Sequence, residues 1–447
     1  MATVEPVAAK AGAAPVPIGD APAPRLPGED ATLTELAAID RRLVAAVRGI
    51  RLLSAVSWPA ELQADFILRY RKGKVRLPEI TYPTFEFDGV RAEIDAIQAA
   101  CKSYGDHPVA DYIWRTAESF EIATHLLDTL GTAEMTQHSI RLFGKPGDML
   151  PGAELHNIDA ARHFIFLADE LSKELASVET DYVLSAETLK AELEERLNAF
   201  FVHHKVRIEI DPTLIAKAAA GTTRIRLRSA TAFTEYDRHQ LLEHEAFVHT
   251  LTGLNGREQT NLASFGLNSP RITATQEGLA TFAELITGSI DIGRMKRISL
   301  RIIAIDLALK GADFIDVFKF FLDSGQTEAD SFMSSMRVFR GAPLEGGSAF
   351  TKDTVYLHGL LSVHTFFRWA LKNQRLKLCR GLFAGKMTLH DVIALEPWFD
   401  MGWIRPPIYM PPWVSRANGL AGMLAFSLFA NRIRLDRVEA EDLVLGL

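Results

Sequence analysis

Two histidines five residues apart, His244 and His249, with Glu245 beside the first, constrain this chain more than any other feature. Imidazoles on one element offer nitrogen to a divalent metal, and a neighbouring glutamate can act as general base toward a water held there. The common metallopeptidase spacing is four, which stacks both histidines on one face of an α-helix. Five steps at about 100° each leave the side chains roughly 140° apart, too wide for one metal. The segment therefore demands a helix that absorbs an extra residue, as a π-bulge does, and such bulges gather at functional sites. Taken alone, a buried helix with two satisfied histidines explains the pattern as well.

A second stretch, Thr275-Gln276-Glu277-Gly278-Leu279-Ala280 through Glu284, reads as a helix that opens at a Thr275 cap and ends near Gly288. Glu277 would reach a metal as third protein ligand, leaving a fourth position for water. The plain alternative is a first-turn glutamate favoured by the helix dipole. Gly278 suits close approach of another backbone. Glu284, two turns beyond Glu277, is a candidate to receive the second N–H of a metal-bound histidine, with an exposed helix glutamate as the competing reading. Upstream, Thr234 and Asp237 form a capping pattern, so the histidine helix starts at Thr234 and is buried through Leu241, Leu242, Phe247, Val248 and Leu251.

Ahead of that helix the hydrophobic period is two. Val206, Ile208 and Ile210 alternate with charges and predict a strand, Asp211-Pro212 opens a short helix ending by Gly221, and residues 224–228 alternate again. An extended substrate commonly adds to such a strand. The face bearing Arg224, Arg226 and Arg228 suits an acidic peptide, and a solvated edge strand protected by charge is the other reading.

The rest of the chain is read in bulk. Residues 1–30 are Ala- and Pro-rich without the apolar core of a signal peptide, and predict a disordered leader. Residues 31–200 carry helical periodicity, and their scattered His125, His138 and His156 form no constellation. Residues 201–415 hold the motifs, and 416–447 form a tail packing back on the body. The apolar run from Gly419 to Ala430 is too short to span a bilayer. A net charge of -7 gives no reason to expect nucleic acid. The two cysteines, Cys101 and Cys379, allow no disulfide framework and read as buried small hydrophobes. The expected setting is cytoplasmic, without membrane insertion.

The two motifs in this order resemble a family of metal-dependent peptidases known by its Gln-Glu-Gly-Leu-Ala motif. Its bacterial members are often labelled flavohaemoglobin expression-modulating proteins, and its animal members are the microtubule-associated tyrosine carboxypeptidases. The likeness continues through His249-Thr250-Leu251-Thr252-Gly253-Leu254-Asn255-Gly256, Arg337-Val338-Phe339-Arg340-Gly341 and the block from Phe350 to Gly359, and covers roughly residues 33–440. Thr260 departs from it, where proline is expected.

The resemblance implies an α+β, mostly helical, zincin-like domain with a small sheet and an N-terminal helical layer. One Zn2+ would be held by His244, His249 and Glu277, with Glu245 as general base. The reaction implied is release of a C-terminal residue from a peptide or protein. A terminal carboxylate wants paired donors, for which Arg337, Arg340, Lys352 and Arg226 are candidates. Tyr356 or His358 would donate to the oxyanion. For Lys352 and Asp353, a structural pair with each other is the favoured reading. Two alternatives stay open. One is a non-catalytic metal-binding regulator of flavohaemoglobin expression, and the other is iron in place of zinc.

Overall fold

The computed structural model describes residues 29–175, 183–212, 214, 217–229, 231–433 and 438. The predicted leader lies almost wholly outside them, as does most of the tail beyond residue 433. The described chain is mostly helical with one three-stranded sheet, an α+β arrangement. No helix among the described residues is long and apolar enough to cross a membrane.

The amphipathic N-terminal segments become helices Glu29–Val47, Asp88–Lys102, Pro108–Asp128, Glu134–Phe143, Asn157–Leu175 and Ala186–Phe200. Pro108 sits at the first turn of its helix, where a missing N–H costs nothing, and His107 caps it by accepting from Val109 N. Their apolar faces do not make a separate core. Leu36, Leu43, Ile113 and Leu126 belong to the same buried cluster as Val248, Leu279 and Leu357. A second cluster gathers Trp58 and Phe66 with Phe314, Phe318, Phe332 and Phe339, rings meeting edge-on or tilted. The long amphipathic pattern after residue 290 breaks at Gly311 into helices Ile292–Leu309 and Phe314–Asp323.

The sheet departs from expectation in one place. Strands β1 (Arg207–Asp211) and β3 (Arg224–Arg228) form as predicted, but Ala218–Ala220 is a strand, β2, rather than the end of a short helix. Alanine favours helix intrinsically; here pairing with β3 overrides the propensity. The order is β1-β3-β2, with β1 parallel and β2 antiparallel to β3. β3 is therefore central, and neither the edge-strand reading nor peptide addition to it holds. Two of its three arginines are spent across the sheet, Arg226 on Asp211 at 3.1 Å and Arg224 on Glu209 at 3.4 Å, and Arg228 bonds Thr231. The edges are β1 and β2, and β2 packs against the histidine helix.

Candidate metal centre

The histidine helix starts where its capping pattern predicts. Thr234 accepts from Asp237 N, Asp237 accepts from Thr234 N, and helix Glu235–Leu241 follows. The next nine residues, Leu242–Thr250, are a π-helix, longer than the single bulge expected. A π-helix bonds each residue to the one five along, so residues five apart share a face. The bond from Leu251 N to Ala246 O is of that kind. The spacing that looked wrong for an α-helix thus brings His244 and His249 together, with ring centroids 4.8 Å apart. Regular helix resumes at Leu251–Arg257.

Facing them is helix Thr273–Ile286. It opens two residues before the predicted Thr275 cap, because the 3-10 turn Pro270–Ile272 runs straight into it. Thr275 lies inside, and its hydroxyl accepts from Leu389 N. Glu277 Oε2 stands 3.6 Å from Nε2 of His244 and 3.6 Å from Nε2 of His249. One ligand atom from each of the three lies within 4.8 Å of the others, the only such metal-capable group among the described residues. Around a tetrahedral zinc with bonds of about 2.0–2.1 Å, ligand atoms sit roughly 3.4 Å apart, so the donor set fits the ion in number and chemistry, and its two His–Glu277 separations of 3.6 Å come close to that spacing.

The ring orientation is set from behind. His244 Nδ1 meets Glu284 Oε1 at 2.6 Å, which leaves Nε2 facing Glu277. Glu284 is fully buried, so the exposed-glutamate reading fails. Arg294 braces it with contacts of 3.1 and 3.2 Å. Burial opposes a charge on His244, yet its bonds to Glu277 and Glu284 raise its pKa to about 10. Burial likewise opposes the Glu277 charge, but Lys352 and the two histidines hold its carboxyl well below the usual range. Negative potential of this kind attracts a cation, whether a proton or a metal. Replacing Glu284 by Gln keeps an acceptor near Nδ1 and removes the charge; we expect zinc affinity about 10- to 100-fold weaker, read by competition with a chelator. An unchanged affinity would refute this role.

Glu245 points elsewhere. Its Oε2 accepts from Ala220 N of β2 at 2.8 Å, so the strand that was not foreseen holds the candidate base. Lys352 does not pair with Asp353. Its ammonium lies 2.9 Å from Glu277 Oε1, while Asp353 takes two hydrogen bonds from Arg337 at 2.6 and 2.7 Å. Successive residues in the 3-10 turn Thr351–Thr354 point in different directions, so neighbours cannot face each other. Arg337 is thereby occupied, and Arg340 is buried against the Phe350 ring at 5.0 Å. Neither lines the cleft beside the trio, nor does Arg226. Tyr356 receives a 3.4 Å bond from Arg337 and lies under the Lys352 ammonium at 5.0 Å, one contact from Glu277. His358, two residues on along the same helix, points roughly 200° away, and burial lowers its pKa against a partial offset from the charge of Asp148.

Two glycines join the motifs. A Cβ on Gly278 would lie 2.4 Å from Gly359 C and O, and one on Gly359 would lie 2.2 Å from Ala274 O. The helix carrying Glu277 and helix Val355–Lys372 cross there backbone to backbone.

The cleft itself measures about 370 Å³ and is lined by Ala220, His249, Glu277 and Lys352, and also by Arg51, Asn268 and Lys386. Lys386 was not singled out from the sequence. The signal was there, a lone cation in the run from Leu382 to Met387. Its loop is fastened to the end of the histidine helix. Asn255 Nδ2 donates to Phe383 O and Tyr409 O, and Gln259 Nε2 donates to Ala384 O and Arg405 O. The same bonds hold the proline-rich segment against the body. No curated protein matches this sequence. The family model for microtubule-associated tyrosine carboxypeptidases matches residues 69–432, more than four-fifths of the chain. The chain thus belongs to the microtubule-associated tyrosine carboxypeptidase family.

Proposed function

We propose that the protein is a zinc-dependent carboxypeptidase with a zincin-like catalytic domain, releasing the last residue of a peptide or protein. The observation that carries this reading is the convergence of His244, His249 and Glu277 on one point, with Glu245 beside them but tied to β2. Membership of a family named for carboxypeptidases supports it. Zinc, held by His244, His249 and Glu277, would supply the Lewis acidity that polarises a water and the scissile carbonyl.

The chain's own groups do the rest. Glu245 takes a proton from the attacking water on its carboxylate and delivers it to the departing amine, so the C–N bond breaks as water adds. The Ala220 N–H fixes that carboxylate in place. Tyr356, its oxygen accepting from Arg337, keeps its own proton free to donate to the oxyanion. The edge of β2 borders the cleft through Ala220; with the Ala220 N–H given to Glu245, its remaining outward main-chain groups would align an extended substrate. Lys352 neutralises Glu277 and restrains it, a different task from holding substrate.

The test joins composition to activity. Elemental mass spectrometry should find about one zinc per chain in the wild type and its loss in His249→Ala. Peptides differing only in the last residue, tyrosine included because of the family's name, should lose that residue to the wild type alone. A wild type with stoichiometric zinc that trims none of the set would overturn the reading.

A further inference from the structure

A carboxypeptidase must recognise the terminal carboxylate, and none of Arg337, Arg340 and Arg226 lines the cleft. Three cations line the cleft, Arg51, Lys352 and Lys386. Lys352 is committed to Glu277 at 2.9 Å. Arg51 sits exposed on the rim, where water screens its charge. Lys386 is different. It is 6% exposed, its ammonium bonds the neutral Asn268 Oδ1, and no carboxylate among the described residues lies within ion-pair distance. Burying an ammonium without a counter-charge is costly, and such groups are ordinarily paired.

The surroundings hold Lys386 in that position. Phe265 is wedged between two glycines. A Cβ on Gly256 would lie 2.1 Å from Phe265 O, and one on Gly385 would lie 2.6 Å from Phe265 Cβ. Phe265 O also accepts from Lys386 N at 2.8 Å. The loop therefore has little room to move its lysine out to solvent. Burial and the charge of Arg257 push the Lys386 pKa down to about 8, partly offset by Glu277, whose field reaches it. A carboxylate arriving in the cleft would supply the missing counter-charge.

Resting on the carboxypeptidase reading, we propose that Lys386, oriented by Asn268, binds the terminal carboxylate of the substrate and so restricts the enzyme to free C-termini. The ammonium keeps donors beyond the one used on Asn268, and Asn268 itself carries an amide NH2 on the cleft wall. A charge-assisted bond to a desolvated carboxylate is among the stronger polar contacts.

The test uses full-length, zinc-loaded protein and a dansylated peptide ending in tyrosine, as the free acid and as the C-terminal amide. Binding is read by fluorescence anisotropy in Glu245→Gln, so that affinity is measured without turnover. We expect the acid to bind about 10- to 100-fold more tightly than the amide. Adding Lys386→Met should abolish that preference, with amide affinity, zinc content and melting temperature unchanged. Lys386→Arg should retain part of it, and Arg51→Gln most of it. In turnover, Lys386→Met should raise KM for the acid more than it lowers kcat. If the wild type trims the acid while Lys386→Met keeps the acid-over-amide preference, this inference falls and the peptidase reading survives. If the wild type trims neither peptide nor any other in the set, both fall.

Discussion

Replacing Glu245 by Gln should lower kcat by about 10²- to 10⁴-fold while zinc stays at one per chain. That range corresponds to roughly 3 to 5 kcal/mol of transition-state stabilisation. The substitution isolates the chemistry because of how the side chain is held. Glu245 Oε2 accepts from Ala220 N at 2.8 Å, and a glutamine oxygen can accept the same bond. The carboxamide fills the same volume, so the π-helix and the three candidate ligands keep their places. What is lost is a group able to take a proton from water and return it to the amine. Steady-state kinetics on a trimmed peptide, beside elemental analysis, reads both halves of the expectation. Activity within a few-fold of wild type, zinc retained, would remove Glu245 from the mechanism. The same variant separates the peptidase from a regulator that uses its metal structurally, since a regulator's effect in cells would survive the change.

Much of this site is legible in the residues, and the illegible part has definite causes. The Thr234–Asp237 cap, the helical segments of the first half and the strands around Ile208 and Ile225 depend on nearest-neighbour preferences, which local sequence carries. The five-residue spacing of His244 and His249 announced a departure from α-helix, although not a π-helix of nine residues, because helix hydrogen bonding is decided by what the side chains must reach. β2 was missed because Ala218-Ala219-Ala220 has no alternation to read; its pairing comes from β3. Charge partners were the least legible. Arg337 and Lys352 lie in a cation-rich block, but which carboxylate each meets depends on helices 75 residues apart in the Lys352–Glu277 case. Lys386 stands out in the sequence only as a lone cation in the run from Leu382 to Met387, and only the fold reveals that it lacks an acid among the described residues.

Gly278→Ala tests whether the two motifs function as one unit, and we expect it to cost about 1–3 kcal/mol of stability and to weaken zinc binding. Alanine is ordinarily the better helix former, by about 0.8–1.0 kcal/mol over glycine, so propensity alone predicts a gain. Sterics decide the sign. The new methyl would lie 2.4 Å from Gly359 C and O, backbone atoms that cannot rotate away. The crossing must open, and Glu277, adjacent to the substitution, moves with it, as does the helix bearing Tyr356. Gly359→Ala strikes the same crossing, its methyl 2.2 Å from Ala274 O. Because both open one contact, the double variant should lose less than the sum of the singles. Gly89→Ala is the control, an exposed glycine in the first turn of a helix with nothing within 4 Å of the added carbon, and it should not lower stability. Thermal unfolding with and without added zinc reads the effect: the zinc-dependent rise in melting temperature should shrink in Gly278→Ala and persist in Gly89→Ala. A Gly278→Ala protein with wild-type melting and wild-type zinc response would mean that the crossing relaxes freely, and that Glu277 is positioned by Lys352 and the histidines without help from the helix behind it.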